Sequence, residues 1–393
     1  MYRTSMISTQ EDLTKLTDKL GEEEAIAVDT EFHGERRYWP DLFLVQIAGR
    51  DGPVAIDPLE IKDLSPLGRL FESETPIKVI HSARNDIDVL MHHLNIEFSS
   101  VFDTQLAAAF LGHPRQIALF KLVKAECDIY PKKGHTLSDW SLRPLANDQI
   151  EYALDDVRYL LDIYRNQVKQ LKAMGRYSWY SEEAETLTDP STYNNSVNKL
   201  FRKIKTKSKT RGNRLHILWA LIKWREDAAK QVNKPRNFVV KDYVLGAIAT
   251  LAPENKRSLS RLRGISSGFI SKWGDEITNV ISNADRIPDS EIPKIPRHHS
   301  QPGVSARMDI LRIFLKQESC RLNISPELLL SKDLINALAK NPPNTDEELY
   351  SLRELSGWRK EALGNDLISL LRGKLALKLN AKGNSGLDFI RTE

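Results

Sequence analysis

Cysteine is scarce in this chain: Cys127 and Cys320 are the only two among 393 residues. They form no disulfide framework and match no zinc-ligand spacing, so the expected setting is a reducing cytoplasm. Long apolar runs are missing too. The longest, near residues 243–252, falls far short of the ~20 residues that a membrane-spanning helix needs, and no membrane association is expected. The start, Met1-Tyr2-Arg3-Thr4-Ser5-Met6, leads into polar and acidic residues without the apolar core of a signal peptide. No Gly-x-x-x-x-Gly-Lys-Ser/Thr loop occurs, which excludes a P-loop motor and leaves no nucleotide cofactor to expect. Low-complexity sequence is absent.

What is present can build real cores: 41% of the residues are hydrophobic, in a chain long enough for two or three domains. Net charge is +4 but unevenly spread, with −7 over residues 1–180 and +11 over the remainder. Within the basic half, residues 199–214 contain Lys199, Arg202, Lys203, Lys205, Lys207, Lys209, Arg211 and Arg214 and no acid. Such a run can be a solvated linker. Beside a site for a polyanionic substrate, it is expected to bind phosphates.

The chemistry is carried by acids. Residues 25–28 are an apolar, β-prone run that predicts a buried strand, so Asp29 and Glu31, at i and i+2, point to one face. Adjacent carboxylates repel unless a cation neutralises them, and hard divalent ions prefer oxygen ligands. After a second strand ending at His81, Ile87, Leu90, Met91 and Leu94 mark an amphipathic helix whose first turn holds Asp86. A carboxylate there is also favoured by the helix dipole, and Asp88 is a rival that spacing alone does not exclude. A third pattern predicts one long helix over residues 147–172, with Tyr152 and Asp156 on one non-apolar face. Asp155 points about 100° away around that helix.

Together these residues resemble the DEDD exonuclease superfamily, in the subclass with Tyr in its last motif, and most closely the ribonuclease D family. The likeness extends to Val28-Asp29-Thr30-Glu31-Phe32, Leu44-Val45-Gln46-Ile47, Phe102-Asp103-Thr104-Gln105-Leu106 and Ser138-Asp139-Trp140-Ser141-Leu142-Arg143-Pro144-Leu145, in the same order and at similar spacing. The His subclass would place histidine at position 151, where Glu151 stands. The resemblance implies a ribonuclease H-like α/β exonuclease domain, with a mixed sheet flanked by helices. It implies a 3′–5′ exoribonuclease that releases nucleoside 5′-monophosphates and trims tRNA precursors and other small structured RNAs. It also implies two divalent cations, Mg²⁺ or Mn²⁺. Asp29, Glu31 and Asp156 would hold one, Asp29 would bridge to a second supported by Asp86, and Tyr152 would position the attacking water. Phe32, Gln46, His81, Trp140 and Arg143 are candidate contacts to the terminal nucleotide, whereas Asp103 reads as a helix N-cap. A DNA 3′ exonuclease and a non-catalytic RNA-binding scaffold are the alternatives.

Residues 215–285 read as several short helices, with a cap expected at Asp242. Trp224-Arg225, Asn237-Phe238-Val239-Val240-x-Asp242 and Leu262-x-Gly264 resemble the HRDC domain, a small helical nucleic-acid-binding module. Residues 305–375 echo it in outline. The expected division is an exonuclease domain over 1–185, a basic linker over 186–211, an HRDC domain over 212–290, a linker over 291–304, a diverged HRDC-like domain over 305–375 and a tail over 376–393. A monomer is expected.

Overall fold

A computed structural model describes residues 6–130, 138–194, 196–204, 212–293, 302–343, 345–380 and 387–391. Its main sheet has six strands: β1 (Met6–Ile7), β2 (Ala25–His33), β3 (Asp41–Gly49), β4 (Gly52–Ile56), β5 (Ile77–Ile80) and β6 (Val101–Asp103), in the order β1-β4-β3-β2-β5-β6. The sheet is mixed. β2, β5 and β6 run parallel, while β3 and β4 form an antiparallel hairpin. Strand β2 forms where the sequence predicts it, and residues 25–28 are all buried. Fully burying a side chain such as Ile26 or Val28 contributes ~1.5–3 kcal/mol, so the register that aims Asp29 and Glu31 is well fixed.

Among the described residues, eight helices accompany this sheet: α1 (Gln10–Leu20), α2 (Ser65–Glu72), α3 (Arg84–Leu94), α4 (Thr104–Phe110), α5 (Leu119–Cys127), α6 (Asn147–Arg158), α7 (Leu160–Ala173) and α8 (Tyr177–Thr188). The long helix expected over 147–172 is thus two helices, separated at Tyr159 (φ −106°, ψ −4°). Their packing explains the break. α6 sets Ile150, Ala153 and Leu154 against Leu44 and Ala55, whereas α7 turns Ile163 toward Ala108, Leu122 and Val123.

Short helices α9 (Pro190–Tyr193) and α10 (Val197–Lys203) lead to α11 (Asn213–Gln231), α12 (Arg236–Val239), α13 (Asp242–Leu251), α14 (Lys256–Leu259) and α15 (Ser267–Asn283). A further set follows: α16 (Val304–Leu322), α17 (Pro326–Leu329), α18 (Lys332–Lys340), α19 (Asp346–Tyr350) and α20 (Trp358–Leu371). The lengths repeat, 19, 4, 10, 4 and 17 residues against 19, 4, 9, 5 and 14. Residues read as a tail include a two-stranded sheet, β7 (Leu375–Leu379) with β8 (Leu387–Arg391). Asp242 is not a cap. It is the first residue of α13, and its carboxylate accepts from Arg225 Nη1 at 2.7 Å.

The chain packs as two compact units, one of residues 1–31, 42–192 and 299–393, the other of residues 32–41 and 193–298. In the first, α16–α20 share one apolar core with the elements of the main sheet and helices α4, α6, α7 and α8. Trp358 lies 5.1 Å from Phe110 and 5.3 Å from Trp179 between ring centroids. Gly357 makes that approach possible: its φ is +60°, and a Cβ there would collide with the Glu182 carboxylate, which accepts from Trp358 N at 2.8 Å. In the second unit, Ile217, Leu218, Leu221 and Trp224 of α11 pack with residues of α13 and α15. The segment 32–41 joins it through Tyr38, whose hydroxyl donates to the buried Glu226. Among the described residues no helix is long and apolar enough to cross a membrane.

Candidate active site

Asp29 and Glu31 project from the C-terminal half of β2, and Asp156 meets them from α6. The three carboxylates offer oxygens that all lie within 4.8 Å of one another. The adjacent acid takes no part in this group: Asp155 pairs with Arg158 Nε at 3.0 Å. Glu151, at the position the other subclass would give to histidine, is exposed and 3.3 Å from Arg158 Nη2.

Asp86 occupies the first turn of α3 and is buried, whereas Asp88 is exposed, which separates the two rivals. Asp86 stands outside the three-carboxylate group and accepts a hydrogen bond from the Thr30 hydroxyl. Its charge still reaches the others, and among the neighbouring acids it raises Asp29 most.

Electrostatically the site is under tension. Burial, then the charges of Asp86, Asp156 and Glu31, hold the Asp29 carboxyl well above the usual carboxylate range. Burial, then Asp156 and Asp86, pushes Glu31 up to about 8. Burial, then Asp155 and Asp86, pushes Asp156 up to about 7. Burial raises Asp86 to about 6, against the pull of the Thr30 hydroxyl. Carboxyls pressed together this way either take up protons or bind a cation, and an all-oxygen donor set suits a hard divalent ion. The residues therefore fit the cofactor expected from the sequence.

Tyr152 lies one turn before Asp156 on α6, half-buried against the cluster of Leu44, Trp140 and Leu154. Asp103 is the N-cap expected of it. Its side chain accepts from Gln105 N and Leu106 N, and also from Ser82 N and Ala83 N at the start of α3.

The candidate nucleotide contacts fare differently. Arg143 is a structural clamp: Nε and Nη2 grip Asp57 at 2.6 and 2.8 Å, while Nη1 and Nη2 also donate to the carbonyls of Trp140, Leu142 and Phe43. All five guanidinium donors are spent on protein. His81 is spent likewise, with Nδ1 2.9 Å from Thr104 Oγ1 and Nε2 3.0 Å from the Ile117 carbonyl. Burial lowers its pKa, so the neutral ring donates from Nε2 and accepts at Nδ1. Trp140 is core. Gln46 is fully buried on β3, with neither amide atom hydrogen-bonded among the described residues, and Phe32 is part-exposed at the end of β2.

Of the basic run, Lys199, Arg202 and Lys203 are exposed on α10 and Arg214 is part-buried on α11. Lys205, Lys207, Lys209 and Arg211 lie outside the described residues. Two residues on which much depends carry no sequence signal. Strand alternation turns Thr30 away from Asp29 and Glu31, and Asp57 meets Arg143 from 86 residues away.

Comparison with known proteins agrees with this geometry. Residues 4–172 match the family model described as 3′-5′ exonuclease, and residues 214–281 match the HRDC domain. The chain is 37% identical over 377 residues to the ribonuclease D of Acidiphilium cryptum, covering 95% of this chain and 94% of that one. With the Sphingobium indicum ribonuclease D it shares 33% identity, covering 99% of both. Among solved structures it superposes on Escherichia coli RNase D, described as an exoribonuclease involved in structured RNA processing. That match has a TM-score of 0.82 and 29% identity, over 95% of this chain and 99% of that one.

Proposed function

We infer that this chain, a 3′–5′ exoribonuclease that belongs to the ribonuclease D family, trims the 3′ ends of tRNA precursors and small structured RNAs through the acid cluster of β2, α3 and α6. One observation carries the assignment of the site: the carboxylates of Asp29, Glu31 and Asp156 converge to within 4.8 Å, inside a family fold that cuts phosphodiesters.

In this reading Asp29, Glu31 and Asp156 would hold one divalent cation, Mg²⁺ or Mn²⁺, and Asp29 and Asp86 would support a second. When bound, such a pair would supply charge stabilisation to an in-line displacement at phosphorus and a lowered pKa for the attacking water. The chain's own residues supply the rest. Thr30 fixes Asp86, so the α3 carboxylate keeps its place relative to β2. The Tyr152 hydroxyl orients the water that attacks, while its ring stays anchored against the cluster of Leu44, Trp140 and Leu154. The basic stretch from Lys199 to Arg214 and the HRDC domain engage the body of the RNA by neutralising phosphates. Sparse thiols suit a cytoplasmic enzyme.

The test is release of nucleoside 5′-monophosphates from a precursor tRNA in Mg²⁺ or Mn²⁺. Release should stop with EDTA and in Asp156→Ala, and continue in Asp155→Ala. Degradation of a matched DNA strand at equal rate would remove the RNA assignment.

A further inference from the structure

Helix α5 carries a surface that the core does not need. It buries Leu122 and Val123 against Ala108, Ile117 and Ile163, and turns Phe120, Lys121 and Lys124 outward. Phe120 is 44% exposed, and Tyr130, just past the helix, is 71% exposed. Each ring is matched with an ammonium: Lys124 Nζ lies 4.6 Å from the Tyr130 centroid and Lys121 Nζ 5.9 Å from that of Phe120. The acid within the helix is turned away, since Glu126 accepts from Asn166 and Gln167; Asp128 lies beyond the C-terminus. Rings alternating with cations on an open face suit a strand that offers bases to stack and phosphates to neutralise.

The face is also tied to the strands that carry the acids. Ile117, three residues before Phe120, has a carbonyl that accepts from His81 Nε2 and from Gln105 Nε2, each at 3.0 Å. His81 follows β5, and five residues later comes Asp86. Asp103, at the end of β6, binds Ser82 N and Ala83 N in the same turn. The start of α5 is thus tied to the carboxyl edge of the parallel strands β2, β5 and β6, where the carboxylates gather.

We propose that Phe120, Lys121, Lys124 and Tyr130 form a platform for the single-stranded RNA just upstream of the 3′ nucleotide being removed. Bases stack on the two rings, and phosphates pair with the two ammoniums. The platform rests on the reading of the acid cluster as the site of hydrolysis, and it adds a device for keeping hold of the strand between successive cuts.

The experiment uses the full chain in three forms: wild type, Phe120→Ala with Tyr130→Ala, and Lys121→Ala with Lys124→Ala. Binding of oligoribonucleotides of graded length is measured in EDTA, where nothing is cut, and nucleotide release is measured in Mg²⁺. Loss of the rings should weaken binding of longer strands and raise KM by roughly 5- to 100-fold for each ring, the range for one lost base stack. The effect should shrink as the strand is shortened. Loss of the lysines should flatten the salt dependence of binding by about 1.4 units, at about 0.7 per phosphate contact on single strands. Phe120→Tyr with Tyr130→Phe should bind like wild type. Affinity unchanged at every length, or a loss equally large on dinucleotides, overturns the platform. Failure of the wild type to release monophosphates overturns the reading of the acid cluster instead, and the binding series in EDTA still decides the platform.

Discussion

The Thr30 hydroxyl donates to the buried Asp86 carboxylate, so the strand that presents Asp29 and Glu31 also holds the acid on the neighbouring helix. Three carboxyls on two elements are therefore positioned by one tripeptide, Asp29-Thr30-Glu31. Thr30→Val keeps the branched shape and removes the donor. Losing a hydrogen bond to a buried charged group costs on the order of 1–3 kcal/mol, and it lets Asp86 shift. The expected result is a turnover reduced about 10-fold and a higher Mn²⁺ requirement. The check is kcat as a function of Mn²⁺ concentration, and turnover equal to wild type at every concentration would detach Thr30 from the site.

In the proposed mechanism Tyr152 acts through its hydroxyl. Tyr152→Phe retains the ring that packs against the cluster of Leu44, Trp140 and Leu154, so the fold should persist. Turnover should fall by ~10- to 10³-fold, the range for a lost positioning or proton-handling group, with Mn²⁺ affinity preserved. Single-turnover kinetics measures this. Normal turnover would make the phenol structural.

The metal-free protein should lose stability as pH rises. Glu31 is pushed up to about 8, Asp156 to about 7 and Asp86 to about 6, by burial in each case. Carboxyls in the unfolded chain titrate near pH 4. A group whose folded pKa is raised contributes stability that is complete below the unfolded value and is lost as pH climbs through the folded value. In EDTA the Tm should therefore fall between about pH 6 and 8. Mn²⁺ should restore it more strongly at pH 8 than at pH 6, because at higher pH binding displaces fewer protons. Calorimetry across that window decides, and a Tm that rises with pH and ignores Mn²⁺ would contradict the account.

Arg143 should behave as a stability residue. Arg143→Ala leaves Asp57, a fully buried carboxylate, without its bidentate partner. Breaking a buried pair costs about 3–5 kcal/mol. Denaturant unfolding should show that loss, while RNA affinity of the folded fraction stays at the wild-type level. Weakened RNA binding at unchanged stability would restore Arg143 as a phosphate contact.

These residues also show what the sequence could and could not reveal. The strand carrying Asp29 and Glu31 and the helix carrying Tyr152 and Asp156 were legible because residue type and local spacing alone aim those side chains. Choosing Asp86 over Asp88 was not, since it depends on which face of α3 meets β2, and that is settled by packing. Arg143 and His81 look like ligand contacts by type. Their partners Asp57 and the Ile117 carbonyl are 86 and 36 residues away, beyond any local pattern. The same limit hides the setting of the C-terminal helices. Apolar spacing says that α16 and α20 pack against something, but not that Trp358 stacks on Trp179 and shares the exonuclease core.

The central claim, that Asp29, Glu31 and Asp156 together hold a catalytic divalent cation, is tested most directly by locating the ion. Crystals soaked in Mn²⁺ and measured at the manganese absorption edge should show an anomalous peak among these three carboxylates, and Asp156→Ala crystals should lose it. A protein that releases monophosphates in Mn²⁺ yet shows no peak there, or shows one only elsewhere, would contradict the assignment.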